Sequence, residues 1–404
     1  MRILFLSPRQ SVPARSGARL REFHFLKALG QSAEITYLYF ADPESQAPTL
    51  QDLPFCREAI GIPKPPAYGF AKTLRGIFGR WPLPILNYSS AAMSAAVARV
   101  MENRSFDIIH LDSIHMTRYV KAVARPGSPR AIYNWHNIES EAMRRYSATT
   151  SSASRRYYAW HTAGKMARVE KQILGSAFGH VVCSERERNQ LLATAPGARV
   201  TVVENGVDTG YFAGAGVATS PGVRRIVFVG AMDYFPNSDA AVFFATRIWP
   251  EVRRKLSGIE LAIVGANPVP AVVALGALPG VRVTGMVPDV RPWYAGALAA
   301  VVPLRTGGGT RLKILEAMAA GVPVLSTALG AEGLEVVDER NALLVNADDA
   351  TGWASRLVSL AHSPDRCDEL AREGLQLVRK RYDWAMLGAK LRTTYENWLS
   401  GSER

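Results

Sequence analysis

The chain has 404 residues, of which 48% are hydrophobic and 21% charged, the balance of a packed globular protein and not of a disordered chain. This length exceeds one ordinary core and fits two domains of about 150 to 200 residues each. The net charge of +13 is uneven, because residues 1–205 carry 27 Lys and Arg against 15 Asp and Glu, while residues 206–404 carry 21 against 20.

The first half alternates short apolar runs with helix-like segments. Candidate strands span residues 3–6, 34–40, 107–111, 131–135, 180–183 and 200–203, and helical periodicity favours helices over 18–29 and 139–174. Continuous Val, Ile and Leu runs that are each followed by a helix are typical of a parallel sheet covered on both faces.

The second half repeats this alternation after a stretch of small residues. Candidate strands span 225–229, 260–264, 281–284, 299–303, 322–326 and 342–345, and helices are expected over 239–255, 310–320, 364–381 and 384–399. The run AGAGVATSPG at 213–222 has linker composition and follows the string NGVD at 205–208. We therefore predict an α/β protein of two doubly wound, Rossmann-like domains, 1–208 and 209–381, with a C-terminal helix at 382–404 that packs back toward the first domain.

Cysteine usage and hydropathy predict a cytoplasmic protein. The three cysteines, Cys56, Cys183 and Cys367, form no C-x-x-C pair, so neither a disulfide framework nor a cysteine zinc site is expected. The apolar run after Met1-Arg2 is shorter than the core of a signal peptide. The uncharged stretches 81–98 and 261–281 are broken by Pro, Asn, Ser or Gly, so any membrane contact is expected to be peripheral.

A cationic and aromatic segment stands out in the basic front half. Such segments favour anionic headgroups at the inner face of a membrane, and the alternative is that these residues form solvated helix faces. Nucleic acid is not expected, because zinc-finger spacing, an RNP-type motif and a basic zipper are all missing. The residues of this segment are Lys64, Phe70, Lys72, Arg75, Ile77, Phe78, Arg80 and Trp81.

The densest chemical signal is a glycine turn, residues 306–310, directly after a candidate strand. Successive glycines expose backbone N–H groups, the following helix adds its positive end, and Arg311 and Lys313 supply full charges. This pattern predicts an anion cradle, although it is neither a Walker A loop nor a G-x-G-x-x-G fingerprint. Glu316 lies near the same helix end, where its carboxylate could accept two ribose hydroxyls. The alternative is a glycine-rich helix start with surface charges.

Several strings together resemble a retaining glycosyltransferase of family 4, with the GT-B fold. In the second half these are TGMVPDV at 284–290, VPL at 302–304, GGTRLKILEAM at 308–318 and GVPV at 321–324. The string NGVD at 205–208 resembles the family's domain-junction motif. In the first half, VCSE at 182–185, DIIH at 107–110 and the opening 3–6 with Ser16-Gly17 match in order. The resemblance covers essentially the whole chain.

The resemblance implies that the second domain holds the nucleotide-sugar donor and the first domain the acceptor, across a cleft. Glu316 is then the second glutamate of the family's E-x7-E motif, whereas Gly308 stands where the first is expected, which leaves the donor sugar open. The segment after Gly230 lacks the Arg and Lys with which relatives grip the diphosphate, and Arg311 and Lys313 are the expected substitutes. The full set of predicted donor-binding residues is Ser16, Gly17, Gly230, Met286, Val287, Gly308, Gly309, Thr310, Arg311, Lys313 and Glu316.

His136, in the string YNWHN at 133–137, resembles the family histidine that lines the cleft beside the reacting sugar. On the sequence alone, a lone histidine is more often structural, although an imidazole can exchange protons near neutral pH. With His136, Arg311 and Lys313 form the predicted catalytic set. No metal is assigned, because His110 and His115 lack a carboxylate or cysteine that completes a site.

The resemblance implies transfer of a hexosyl-type sugar, with retention, from a UDP- or GDP-sugar to a glycan or lipid-linked acceptor in exopolysaccharide biosynthesis, without a cofactor. Because the matched motifs show no carboxylate nucleophile, we expect front-face displacement. A GT-B nucleotide-sugar epimerase and a non-catalytic sugar-nucleotide-binding subunit remain alternatives. A nicotinamide dehydrogenase and a serine hydrolase are disfavoured, since their G-x-G-x-x-G and G-x-S-x-G motifs are missing.

Overall fold

The computed structural model describes residues 1–14, 16–43, 46–123, 127–213, 224–307 and 311–401. Its contacts divide the chain into two compact units. The first comprises Met1–Glu204 together with the residues from Leu387 onward, and the second comprises Asn205–Met386. Each unit contains one sheet in which every strand pairing is parallel.

The first unit is built on a seven-stranded sheet in the order β3-β2-β1-β4-β5-β6-β7. Because β1 pairs with both β2 and β4, the chain moves outward first on one side and then on the other, and the switch point lies between β1 and β4. The strands are β1 (Arg2–Ser7), β2 (Glu34–Ala41), β3 (Glu58–Pro63), β4 (Ile108–Leu111), β5 (Arg130–Asn134), β6 (Gly179–Val182) and β7 (Val200–Val202).

Several helices of the first unit begin at serine caps. The hydroxyls of Ser16, Ser152 and Ser184 accept backbone N–H groups in the first turns of α1, α6 and α7, which lack partners within the helix. A 3-10 segment spans Ile114–Val123. The helices are α1 (Gly17–Leu29), α2 (Phe70–Phe78), α3 (Leu83–Leu86), α4 (Ala91–Asn103), α5 (Glu139–Thr149), α6 (Ala153–Ser176) and α7 (Glu185–Thr194).

The second unit has a six-stranded sheet in the order β10-β9-β8-β11-β12-β13, with its switch point between β8 and β11. The central strand β8 is buried through Ile226, Val227 and Phe228, and the indole rings of Trp249 and Trp353 complete the core. The strands are β8 (Arg224–Val229), β9 (Ile259–Val264), β10 (Val281–Val283), β11 (Ala297–Val302), β12 (Val324–Ser326) and β13 (Leu343–Leu344).

The remaining helices surround this second sheet or follow it. A π segment spans Phe244–Ile248 and a 3-10 segment spans Ala274–Ala277. The α-helices are α8 (Thr209–Phe212), α9 (Phe235–Phe243), α10 (Trp249–Lys255), α11 (Pro270–Val273), α12 (Arg291–Tyr294), α13 (Leu312–Ala319), α14 (Ala350–His362), α15 (Pro364–Arg381) and α16 (Trp384–Ser400).

The last helix, α16, belongs to the first unit from Leu387 onward. Its Tyr395 hydroxyl lies 2.6 Å from Nδ1 of His110, inside the first unit. None of the helices in the described part of the chain is long and apolar enough to span a membrane.

The prediction of two doubly wound parallel α/β domains is confirmed. Two details of the sequence interpretation are wrong. The expected single helix over 139–174 is two helices, because the chain leaves the helical conformation between Thr149 and Ala153. In addition, β3 at the sheet edge was not among the predicted strands.

Candidate functional site

The crevice at the switch point of the second unit contains Gly230, Asn237 and Lys313. Gly230 follows β8, and a Cβ atom there would lie 2.8 Å from Nδ2 of Asn237 and 3.1 Å from Nζ of Lys313. The Lys313 ammonium donates to Oδ1 of Asn237 at 2.5 Å and lies 5.0 Å from the centre of the Phe228 ring. The missing side chain at Gly230 therefore lets a lysine from α13 reach the carboxyl end of the central strand.

Lys313 and Glu316 lie three residues apart on α13 and influence each other's ionisation. Burial, followed by the nearby charge of Arg311, lowers the pKa of Lys313 to about 7. Burial raises the pKa of the Glu316 carboxyl to about 6, against the opposing attraction of Lys313. Between these two values both side chains are charged, which places a cation and a hydrogen-bond acceptor on the same helix.

Arg311 precedes α13 and is only 4% exposed. Its guanidinium donates to the carbonyl oxygens of Gly307 and Leu329, each at 3.1 Å, and lies 4.0 Å from a carboxylate oxygen of Glu332. Gly307 has φ +109°, and a Cβ atom there would lie 2.9 Å from Cγ of Pro236. Arg311 thus holds the start of the glycine turn against the segment after β12, a packing role that the sequence interpretation did not foresee.

The other predicted donor-binding residues of the second unit lie after β10 and in the glycine turn. Met286 is 67% exposed and Val287 is half-buried, in a loop whose preceding residue, Gly285, accepts the Gly265 N–H through its carbonyl at 3.1 Å. Gly308, Gly309 and Thr310 lie outside the described residues.

Ser16 and Gly17 lie in the first unit, at the N-terminus of α1. Ser16 is the cap residue, and Gly17 is the first residue of the helix. Arg19, which follows them, pairs with Asp42 at 2.9 Å. The positive end of α1 therefore lies next to the switch point of the first sheet, on the carboxyl side of β1.

His136 lies at the carboxyl end of β5, where the structure brings it against Asp112 and Arg9. Its Nε2 is 2.9 Å from Oδ2 of Asp112 and 3.0 Å from the backbone oxygen of the same residue. Arg9 Nη1 is 3.3 Å from both Asp112 Oδ2 and His136 Nε2. Because two acceptor oxygens lie closer to Nε2 than the guanidinium does, this geometry favours a proton on Nε2, which leaves Nδ1 as an acceptor.

Asp112 is fully buried within a hydrogen-bonded network. Asn134 donates to its Oδ1 at 2.7 Å, and Arg21 in turn donates to the Asn134 side-chain oxygen at 3.0 Å. Burial alone would raise the pKa of Asp112, but His136, His110 and Arg9 hold it well below its ordinary value. The pKa of His136 is lowered by burial against the opposing pull of Asp112. At neutral pH the pair is therefore a carboxylate that holds a neutral imidazole.

A second buried carboxyl behaves in the opposite way. The Tyr37 hydroxyl donates a hydrogen bond to one carboxyl oxygen of Glu22 at 2.5 Å, and the other oxygen lies 3.8 Å from Arg9. Burial, and then the charge of Asp112, raise the pKa of Glu22 well above its ordinary value. The pKa values of two carboxyl groups that face one arginine are thus shifted in opposite directions, a pattern common at functional sites.

The sequence interpretation missed three residues of these clusters. Asp112 and Arg9 follow β4 and β1, and only the strand order brings them next to His136. Asn237 stands 76 positions before its partner Lys313. The positions of Asp112 and Arg9 just after strands were the available signal, whereas Asn237 lies in the first turn of α9. Among the described residues, no group of three or more His, Cys, Asp or Glu side chains could hold a metal ion.

Comparison with known proteins matches both halves of the chain. Residues 55–211 match the family model described as Glycosyltransferase Family 4, and residues 223–363 match the one described as Glycosyl transferases group 1. A phosphatidyl-myo-inositol mannosyltransferase of Mycolicibacterium smegmatis is 29% identical over 231 residues, which cover 55% of this chain and 58% of the relative. The chain spans about half the length of the curated relatives it matches.

Solved structures resemble the chain over almost its full length. Sucrose-phosphate synthase of Thermosynechococcus elongatus has a TM-score of 0.70 at 17% identity, covering 99% of this chain and 100% of that one. Anabaena HepE in complex with UDP and glucose has a TM-score of 0.66 at 14% identity, covering 98% and 99%. The chain therefore carries a glycosyltransferase family 4 domain followed by a glycosyl transferases group 1 domain, and its fold is GT-B.

Proposed function

We propose that the chain is a glycosyltransferase that moves a sugar, with retention of the anomeric configuration, from a nucleoside-diphosphate sugar to a glycan or lipid-linked acceptor. The observation that carries this proposal is the placement of Lys313 against Gly230 and Asn237 at the β8–β11 switch point, with Glu316 on the same helix. A cation there suits a diphosphate, and a carboxylate suits the ribose hydroxyls. The complex of the structurally similar HepE with UDP and glucose supports a donor of this class.

Lys313 and Arg311 take different parts in this proposal. Lys313 supplies the charge that stabilises the diphosphate as the glycosidic bond breaks. Arg311 fixes Gly307 at the start of the glycine turn against Leu329 through its bonds to their carbonyl oxygens. Gly308, Gly309 and Thr310 are the proposed backbone donors to the phosphates. The backbone around Met286 and Val287 is the proposed seat of the base.

In the first unit, His136 is the proposed contact to the reacting sugar, with Ser16 and Gly17 supplying small residues at the positive end of α1. Nδ1 of His136 is suited to accept a hydrogen bond from a hydroxyl group of the sugar, because Asp112 binds the other ring nitrogen, Nε2. In front-face displacement the bond from C1 to the diphosphate oxygen breaks, and the acceptor hydroxyl attacks from the same side. The departing diphosphate takes the hydroxyl proton, so that no metal or covalent intermediate is required.

The acceptor and the location of the reaction are proposed from charge and from relatives. One relative is named as acting on phosphatidyl-myo-inositol, a lipid. With the basic front half of this chain, this supports a lipid-linked acceptor at the inner face of a membrane, in exopolysaccharide assembly.

Donor use and retention can be tested together. UDP- and GDP-sugars are first screened by thermal shift, because a ligand that binds the folded state raises its melting temperature. The sugar that binds is then offered with candidate acceptors, and NMR of the product reports the anomeric configuration. Inversion would refute retention, and activity that EDTA abolishes would refute metal independence. Isomerisation of the donor without acceptor would favour an epimerase.

A further inference from the structure

A cationic cavity of about 380 Å³ opens on the first unit, and none of the residues assigned to the proposed transfer site lines it. None of the residues that line it, all within the described part of the chain, is acidic. Glu170, whose charge acts on Arg144, is buried and accepts the Ser140 N–H at 2.9 Å. The residues that matter here, on α5 and α6, are Arg144, Trp160, His161, Gly164, Lys165 and Arg168.

The spacing of residues on α6 places aromatic and cationic groups on one exposed stripe. Tyr157, Trp160, Gly164 and Arg168 follow each other at three or four residues, which puts them on the same side of the helix. The opposite side is buried. Tyr157 is 65% exposed and Trp160 64% exposed, although large aromatic side chains are normally covered in a protein interior.

Lys165 connects this stripe to α2. Its ammonium donates to the carbonyl oxygens of Gly76 at 2.8 Å, Ile77 at 2.5 Å and Gly79 at 2.7 Å, at the C-terminal end of α2. A lysine at the negative end of a helix, with three carbonyl partners, fixes that helix beside the cavity.

Helix α2 is exposed to an unusual degree. Phe70 is 82% exposed and Phe78 83% exposed, and Gly76 is the only buried residue of the helix. Lys72 and Arg75 lie on the same helix, so apolar rings and cations occur together. An amphipathic helix with this combination is typical of the interface between water and an anionic bilayer.

We propose that α2 and α6 form one membrane-docking surface, in which the cavity receives the phosphate of an anionic phospholipid headgroup and the exposed aromatic rings enter the interfacial layer. The proposal deepens, and rests on, the membrane contact proposed above. Charge complementarity supports this occupant, because Arg144 and Arg168 meet no acid in the cavity lining while the rings require an apolar neighbour. Exposed tryptophan and tyrosine favour such a boundary, since one end of each ring system is apolar and the other polar.

Gly164 provides a matched test. A Cβ atom at this position would meet no atom within 4 Å, so packing does not require glycine in the middle of a 24-residue helix. Glycine is also among the poorest helix formers, and both Glu and Gln form helices better. The substitutions Gly164→Glu and Gly164→Gln therefore place side chains of equal size in the cavity, and only the first adds a negative charge.

The assay is co-sedimentation of the full chain with vesicles of phosphatidylcholine, alone or mixed with phosphatidylglycerol, at low salt. We expect the native protein to sediment with the mixed vesicles only. Gly164→Glu should weaken this binding by about tenfold or more relative to Gly164→Gln, because it offsets a lipid-facing cation and adds repulsion from the bilayer. Arg168→Glu, on the exposed face of α6, should weaken it to a similar extent.

Two results would overturn the proposal: equal sedimentation with neutral and mixed vesicles, or equal binding by the Glu and Gln variants. The thermal shift produced by UDP or GDP, measured on the same variants, separates this proposal from the proposed transferase activity. A variant that keeps the nucleotide shift and loses vesicle binding supports docking, and it also shows that the variant is folded. Vesicle binding without any nucleotide shift in the native protein would instead refute the proposed donor site.

Discussion

The ionisation of Lys313 predicts a narrow pH range for nucleotide binding. Burial and Arg311 lower the pKa of this lysine to about 7, and burial raises the pKa of Glu316 to about 6. In the proposed donor site, a diphosphate requires the ammonium form of Lys313, and the ribose hydroxyls require the carboxylate form of Glu316. The affinity for UDP or GDP should therefore be greatest near pH 6 to 7 and fall on both sides.

The size of the alkaline effect follows from the lowered pKa. Above pH 7 the unliganded protein has lost the Lys313 proton, whereas a bound diphosphate restores it by raising the pKa again. Each pH unit above 7 then costs about tenfold in affinity, and binding at about pH 8 takes up close to one proton for each nucleotide. Below pH 6, protonation of Glu316 removes the hydroxyl acceptor and weakens binding on the acid side.

Above pH 7 the stability of the unliganded protein should rise with pH, whereas the nucleotide affinity falls. Between about pH 7 and the ordinary lysine value of 10.5, the folded state binds fewer protons at Lys313 than the unfolded state does. The contribution of Lys313 to the free energy of unfolding therefore rises with pH through this range. Below about pH 7 the lysine is charged in both states, and burying that charge destabilises the folded protein by its full amount.

Calorimetric titration of UDP and GDP from about pH 5 to 9, in two buffers of different ionisation enthalpy, measures affinity and proton uptake together. Lys313→Arg keeps its charge throughout and should flatten the alkaline side. Lys313→Met should bind weakly at every pH, and Glu316→Gln should lose only the acid side. Constant native affinity from pH 6 to 9, or proton release on binding at about pH 8, would refute the reasoning.

Three further predictions follow from the buried polar contacts. Asp112→Asn presents an amide to Nε2 of His136 and favours the other tautomer, so turnover should fall by about 10- to 1,000-fold with an unchanged donor KM, as pH profiles of kcat can measure. Arg311→Ala removes the donor to two carbonyl groups, and urea unfolding should show a loss of about 1 to 3 kcal/mol together with weaker nucleotide binding. Lys165→Met leaves three carbonyl groups at the end of α2 without their donor, so hydrogen exchange there should speed up while nucleotide affinity stays unchanged.

Local sequence patterns predicted most strands of both sheets because central parallel strands must be apolar on both faces. Residues 3–6 and 226–228, for example, are fully or almost fully buried in β1 and β8. The edge strand β3 has no such requirement. Its sequence, EAIGIP, includes Gly and Pro, and most of its residues are partly exposed, so periodicity gave no strand signal.

Prediction of the site depended on whether partners are close in sequence. Lys313 and Glu316 are three residues apart, so helix geometry alone places them together. The partners of Arg311 include a carbonyl of residue 329, supplied by the segment after β12. A charged residue beside glycines indicated a ligand contact, and only the tertiary structure showed that its guanidinium is bonded to backbone.

The charges at the two switch points argue for a division of labour between the units. At the β1–β4 crevice, Arg9 lies 3.3 Å from the ionised Asp112 and 3.8 Å from Glu22, so its charge is already balanced within the first unit. At the β8–β11 crevice, Lys313 donates to the neutral Asn237, and among the described residues the opposing charge that acts on it is Glu316. A diphosphate carries more negative charge than one balanced arginine can stabilise, whereas sugar hydroxyls need acceptors and donors and no net charge. This difference in charge supports the proposal that the second unit binds the diphosphate and the first binds hydroxyl groups of the sugar or acceptor.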